Sequence, residues 1–349
     1  MKKSIIVIVV GLFSCSLWSQ TGGESVYSFL NTPSYARQIA LGGKTLTLID
    51  DVNQPTWNPA TISNALHQQL AVNYTSYLAG IHMGSVSYAY EINKHVETLH
   101  ANIKYINYGT LIRADEEGKE LGTFNANDIA LSIGYARNIP RSDFYYGANI
   151  KLIYSAIDNF SSTGIALDLG LSYYSADHPF TFALVARNIG TQISSFNGTR
   201  EKLPFEIALG ASYKLERVPL RWYLTLDNLQ KWQVGIANPS NATTDLEGNT
   251  TQESVSFLNN AFRHVIIGAE LFPDSAINLR VGYNFRRSQE LKLQNVRSFG
   301  GLSFGFGLKM NKIKLNYAYS KFHAASNVST FSLQIDLDKR IRGKEPTRY

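Results

Sequence analysis

The chain has 349 residues, 17% of them charged, a formal net charge of +6 and a single cysteine. The positive excess is small and forms no basic stripe, which disfavours a nucleic-acid binder. After the first twenty residues no apolar run approaches the ~18 residues of a helical membrane span, which excludes helical membrane proteins but not barrels, whose signal per segment is weak.

The opening "MKKSIIVIVVGLFSCSLWSQ" has a basic start (Lys2, Lys3), an apolar stretch from Ser4 to Cys15 and a more polar end. It predicts a secretory signal peptide over 1–20, cut near Ser19 or Gln20. A second reading stays open: "LFSC" resembles a lipobox, which would leave Cys15 as a lipidated N-terminus, although Phe13 is larger than a lipobox prefers. Loss of Lys2 and Lys3 lowers the net charge to +4. The mature chain then holds no cysteine and forms no disulfide, unlike small stapled secreted domains.

Residues 21–68 read as an N-terminal plug segment. "SYARQIALGG" (34–43) predicts a short helix stopped by Gly42 and Gly43. "DDVNQPTWNPATI" (50–62) gathers turn residues around Trp57, and Pro55 and Pro59 forbid a continuous helix. Arg37 with Asp50 and Asp51 is either a buried ion pair holding the plug or a set of solvated charges worth little. Trp57 is either a wedge against the wall or a packing aromatic.

From residue 69 onward the pattern changes to strands, at 69–77, 82–92, 97–108, 128–136, 144–154, 163–174, 179–188, 203–213, 219–228, 264–272, 277–285, 301–309, 313–320 and 330–337. That is an even number, fourteen, and most have the ~9–11 residues a tilted membrane strand needs. Successive residues of a strand face opposite ways. In "INLRVGYNF" (277–285), Ile277, Leu279, Val281, Tyr283 and Phe285 share one face, and Asn278, Arg280, Gly282 and Asn284 the other. "IALDLGLSY", "LRWYLTLDN", "LSFGFGLK" and "FSLQIDL" repeat this alternation.

Lys151, Asp168, Arg187, Glu206, Arg221, Asp227, Glu270 and Arg280 all fall on the polar register, which is expected to face a water-filled lumen while the apolar register faces lipid. Gly134, Gly147, Gly170, Gly210, Gly268, Gly282, Gly305 and Gly307 share that register. Barrel curvature is the favoured cause, and a crowded lumenal face the alternative. Connections alternate: short after even strands, mostly longer after odd ones, the largest at 229–263. Outer-membrane barrels pair short periplasmic turns with long outer loops, which would leave both termini periplasmic, with a basic tail at 338–349.

The N-terminal segment carries Ala36-Arg37, Ala40-Leu41-Gly42-Gly43, Asp50-Asp51 and Trp57-Asn58-Pro59-Ala60 in order, before fourteen strands. This set resembles the FadL-type long-chain fatty-acid transporters and the PorV- and PorQ-type proteins of type IX secretion, most of all the PorQ family of Bacteroidetes. The resemblance is strongest over 22–60. It implies an all-β, 14-stranded antiparallel transmembrane barrel of FadL-like type with a small N-terminal plug. It also implies a non-enzymatic docking or anchoring role in the cell-surface attachment complex, with a PorZ-like partner and PorU- and PorV-like components beside outer-membrane lipid. The alternative is a FadL-like outer-membrane transporter of hydrophobic small molecules, and a third reading is a purely structural barrel.

Little points to catalysis or a cofactor. His67, His82, His95, His100, His178, His264 and His323 show no HExxH spacing, and no G-x-S-x-G elbow occurs. His264 is the one histidine weighed against Ser332 or Asp168. "RADEEGKE" (113–120) reads as a solvated loop before a cation site, and the sequons "NGT", "NAT" and "NTT" as chance.

Overall fold

The computed structural model describes residues 25–93, 97–139, 141–175, 177–235, 243–244, 250–251, 255–291, 299–323 and 326–338. The signal-peptide reading over 1–20, Cys15, His95, the tail from 339 onward and much of the 229–263 connection lie outside them.

Fourteen antiparallel strands close a barrel: β1 (Gln69–Ser76), β2 (His82–Asn93), β3 (Glu97–Ala114), β4 (Glu120–Asn138), β5 (Phe144–Ile157), β6 (Phe160–Tyr174), β7 (Phe180–Ser194), β8 (Glu206–Lys214), β9 (Leu220–Leu226), β10 (Val265–Leu271), β11 (Ile277–Asn284), β12 (Leu302–Met310), β13 (Ile313–His323) and β14 (Ser326–Asp336). Sequence neighbours pair in space, and β14 closes on β1 with Leu70 opposite Ile335 and Tyr74 opposite Phe331. Closure leaves no unpaired edge, as lipid requires.

The connections depart from the expected pattern at one end. The predicted 109–127 loop is mostly strand: β3 and β4 continue their ladder to Arg113 opposite Gly122, so "RADEEGKE" is the tip of a long hairpin. β5 and β6 likewise extend until only residues 158–159 separate them. The longer connections follow β7, β9 and β11. Within them lie a two-residue-strand ribbon (243–244 with 250–251) and two short helices, α2 (Phe257–Phe262) and α3 (Phe285–Glu290).

The two registers face as the alternation requires. Ile150, Ile277 and Phe331 point outward at 56%, 58% and 54% exposure, within a continuous apolar belt. A belt of this extent marks contact with lipid. The inward face differs from the expected water-filled lumen. Residues 25–68 run through the interior and bury it, so that Arg280 is only 6% exposed and meets protein instead of water. The described chain also starts at the end opposite to where it finishes. Val26 N–H donates to Lys202 O in the long connection after β7, whereas Leu337 N–H donates to Gln68 O at the short-turn end. The two termini themselves lie outside the described residues.

Candidate functional site

The interior segment grips the wall in two places. The first begins with helix α1 (Ala36–Ala40), seated against β11–β14. Ala36 N–H donates to Ser332 Oγ at 2.9 Å. The helix ends where Leu41 N–H and Gly43 N–H both donate to Gln38 O. Gly42 and Gly43 adopt φ of +98° and +97°, the left-handed region that favours glycine at a helix end. Space is a second reason for Gly42, because a Cβ there would lie 2.6 Å from Ile266 Cγ2.

Arg37 is 5% exposed and ties this arm to the wall. Its Nη2 lies 2.9 Å from Glu270 Oε2, its Nε donates to Glu270 Oε1 at 3.2 Å, and its Nη1 reaches Asp50 Oδ1 at 2.9 Å. Asp51 stands at 4.0 Å and accepts instead from Asn53 N–H and Nδ2. Glu270 also accepts from Arg280 Nε at 2.7 Å and from Tyr223 Oη at 2.9 Å, so one fully buried carboxylate joins the segment to three strands. Lys44 repeats the device, pairing with Glu206 at 2.5 Å and Asp227 at 2.8 Å. The Asp50 side chain is 46% exposed, although the barrel wall surrounds it. Burial alone pushes its carboxyl up, but the Arg37 guanidinium, with Lys314 and Arg221, outweighs that and holds it well below the usual carboxylate range.

The hydrogen bonds of the second grip are neutral. Asn58 caps the short turn Pro59–Thr61 by accepting from Ala60 N–H at 3.0 Å. Its Nδ2 donates to Leu46 O and to Ser172 Oγ on β6, both at 2.8 Å. Asn149 on β5 donates to Pro55 O at 2.6 Å. Trp57 is 3% exposed, and Arg187 of β7 lies over its ring at 3.8 Å, so it packs between the segment and the wall.

The wall glycines explain why backbone can approach so closely. A Cβ on Gly282 would fall 2.0 Å from Gly42 N, on Gly305 2.5 Å from Ala40 Cβ, and on Gly210 2.7 Å from Leu46 Cβ. On Gly147 it would fall 2.5 Å from Pro59 O, and on Gly170 2.4 Å from Asn58 Oδ1. Crowding by the segment, and not curvature, is thus the direct reason for glycine at these positions.

Ala36, Arg37, Ala40, Gly42, Gly43 and Asp50 belong to the first grip, and Trp57, Asn58, Pro59 and Ala60 to the second. Asp51 closes the turn between them. Sequence reasoning missed Lys44, Ser172 and Asn149, and it did not connect Glu270, Arg280, Glu206 or Asp227 with the segment. Their inward register was the available signal, but a two-residue period names a face and not a partner. His264 lies near Asp227 O and Trp232 O, at 2.6 and 3.0 Å, away from the Ser332 and Asp168 weighed for it. Among the described residues no group of three or more His, Cys, Asp or Glu is placed to hold a metal ion.

No family model matches the chain, and no curated protein matches it in sequence. Solved structures do match in fold. A Pseudomonas aeruginosa FadL homologue aligns over 91% of this chain and 100% of its own, at 12% identity and a TM-score of 0.50. A TodX monoaromatic hydrocarbon channel, in a deltaS2 mutant form, covers 88% of this chain and 98% of its own, at 13% identity and a TM-score of 0.49. The fold is that of the FadL-like outer-membrane barrels. At this identity the likeness concerns the fold and carries no substrate with it.

Proposed function

We propose that this outer-membrane barrel is a non-enzymatic docking and anchoring component of type IX secretion, bound to a PorZ-like partner of the surface attachment complex. The observation that carries this reading is the lumen itself. Residues 25–68 are fastened into it by buried ion pairs and fitted glycine seats, an arrangement suited to a rigid anchor. Arg37, Gly42, Asp50, Asn58 and Pro59, which belong to the set that resembles the PorQ family, take part in those fastenings. Under this reading the long connections face outside and the short turns face the periplasm. The long-loop end then offers an aromatic cap as the partner surface, with Trp232 51%, Phe257 70%, Leu258 68% and Phe262 55% exposed.

The fold likeness to a FadL homologue favours a second reading, passage of hydrophobic small molecules, which requires the segment to move aside. Pull-down of the tagged full chain from outer membranes separates the two. Recovery of attachment-complex proteins, lost in Leu258→Asp while the barrel still assembles, is expected. Recovery of the chain alone, together with loss of uptake of a hydrophobic compound on deletion, would establish the transport reading instead.

A further inference from the structure

Between the interior segment and strands β3, β4, β5 and β7 lies a cavity of about 20 Å³. Its lining includes Ser34, Trp57, Ser132 and three cationic side chains, Lys104, Lys151 and Arg187. All three are buried, at 8%, 3% and 2% exposure. Lys151 is neutralised by Asp168 at 2.6 Å and also donates to Asn188 Oδ1 at 2.9 Å. Arg187 reaches Glu206 at 3.3 Å through Nη1 and Leu30 O at 3.2 Å through Nη2.

Two features remain unbalanced. Arg187 Nε is buried with no hydrogen-bond partner. Lys104 donates to Phe29 O at 2.6 Å and to Thr32 O, and has no carboxylate ion pair among the described residues. A buried N–H without an acceptor and a buried ammonium with no carboxylate in contact are both costly. A lysine ammonium also carries three donors, and the protein partners of Lys104 take two of them. Donors and positive charge thus converge on a space with room for about one water-sized guest and none for a chain.

We propose that this cavity binds one small monovalent inorganic anion of chloride size, held by Arg187 Nε, Lys104 and Lys151. The anion supplies the missing acceptor and a negative charge in contact together, whereas water supplies the acceptor alone. It clamps the first turn of the interior segment, around Leu30 and Ser34, to the wall beside Trp57. This inference stands whether the barrel docks a partner or passes a small molecule.

The full chain in detergent tests it, with bromide as the probe. Crystals grown in bromide are expected to show an anomalous peak within hydrogen-bond reach of Arg187 Nε. Thermal unfolding is expected several degrees higher in sodium chloride or bromide than in sodium gluconate at equal ionic strength, with the difference lost in Lys104→Met. Absence of the bromide peak overturns the proposal, as does a lipid carboxylate at the site, or a salt difference that persists undiminished in folded Lys104→Met.

Discussion

The two grips of the interior segment use opposite chemistry for the same task. The arm from Arg37 to Lys44 is held by ions: two basic side chains divide their charge among Glu270, Asp50, Glu206 and Asp227. The arm around Asn58 is held by neutral hydrogen bonds and backbone fit against Gly147 and Gly170. An ionic grip tolerates small displacements, because Coulomb attraction falls slowly with distance. A steric grip does not, because close packing leaves no slack. The difference teaches that each arm should fail under a different insult.

The largest effect is expected where the arms share a requirement, the bare wall. Gly282→Val or Gly147→Val forces side-chain atoms into backbone and should abolish most recovery of folded barrel, read as loss of the heat-sensitive gel shift in outer membranes. Gly84→Ala is the control: its Cβ meets nothing closer than Asn73 O at 3.7 Å and should leave recovery unchanged. Equal effects at Gly84 and Gly282 would remove the seat as an explanation.

Next comes the ionic arm alone. Glu270→Ala strands Arg37 and Arg280 in a buried site and should cost about 3–5 kcal/mol, measured from denaturant midpoints in detergent. Glu270→Gln should cost less, since it keeps acceptors for both guanidinium groups. The neutral arm is expected to be cheaper to damage at one side chain. Asn58→Ala removes a cap and two further hydrogen bonds and should cost ~1–2 kcal/mol. A loss larger than that of Glu270→Ala would invert the comparison.

The smallest effect concerns pH. Asp50 has its carboxyl depressed in the folded chain, so its stabilisation is fully present above the unfolded value and fades as pH falls through the folded one. Protease protection of the interior segment should therefore hold steady from pH 8 to 5 and loosen only below about pH 4. Loosening already at pH 6 would mean another group controls the ionic arm.

Much of this architecture was legible from alternation alone. The strand "INLRVGYNF" displayed its lipid face because membrane contact demands apolar side chains at every second position. The β3–β4 hairpin was not legible beyond residue 108. Its tip leaves the wall, both faces meet water there, and nothing requires alternation even though the ladder continues. The helix stop at Gly42 and Gly43 was readable because it is local chemistry. The bond from Arg37 to Glu270 was not, because 233 residues separate the partners and register carries no information about what stands opposite in the lumen.

The placement of Val26 near one rim and of Gln69, where the wall begins, at the other makes the interior strap a thread sewn into the hem at its lower end. Such a strap has one direction of retreat: its Val26 end must be reeled down the bore toward the hem. A folded module fused ahead of residue 25 and too wide for the bore would bar that retreat like a knot. Permanently knotted and freely reeling versions of the same cylinder could then be compared directly, without altering a single residue of the wall.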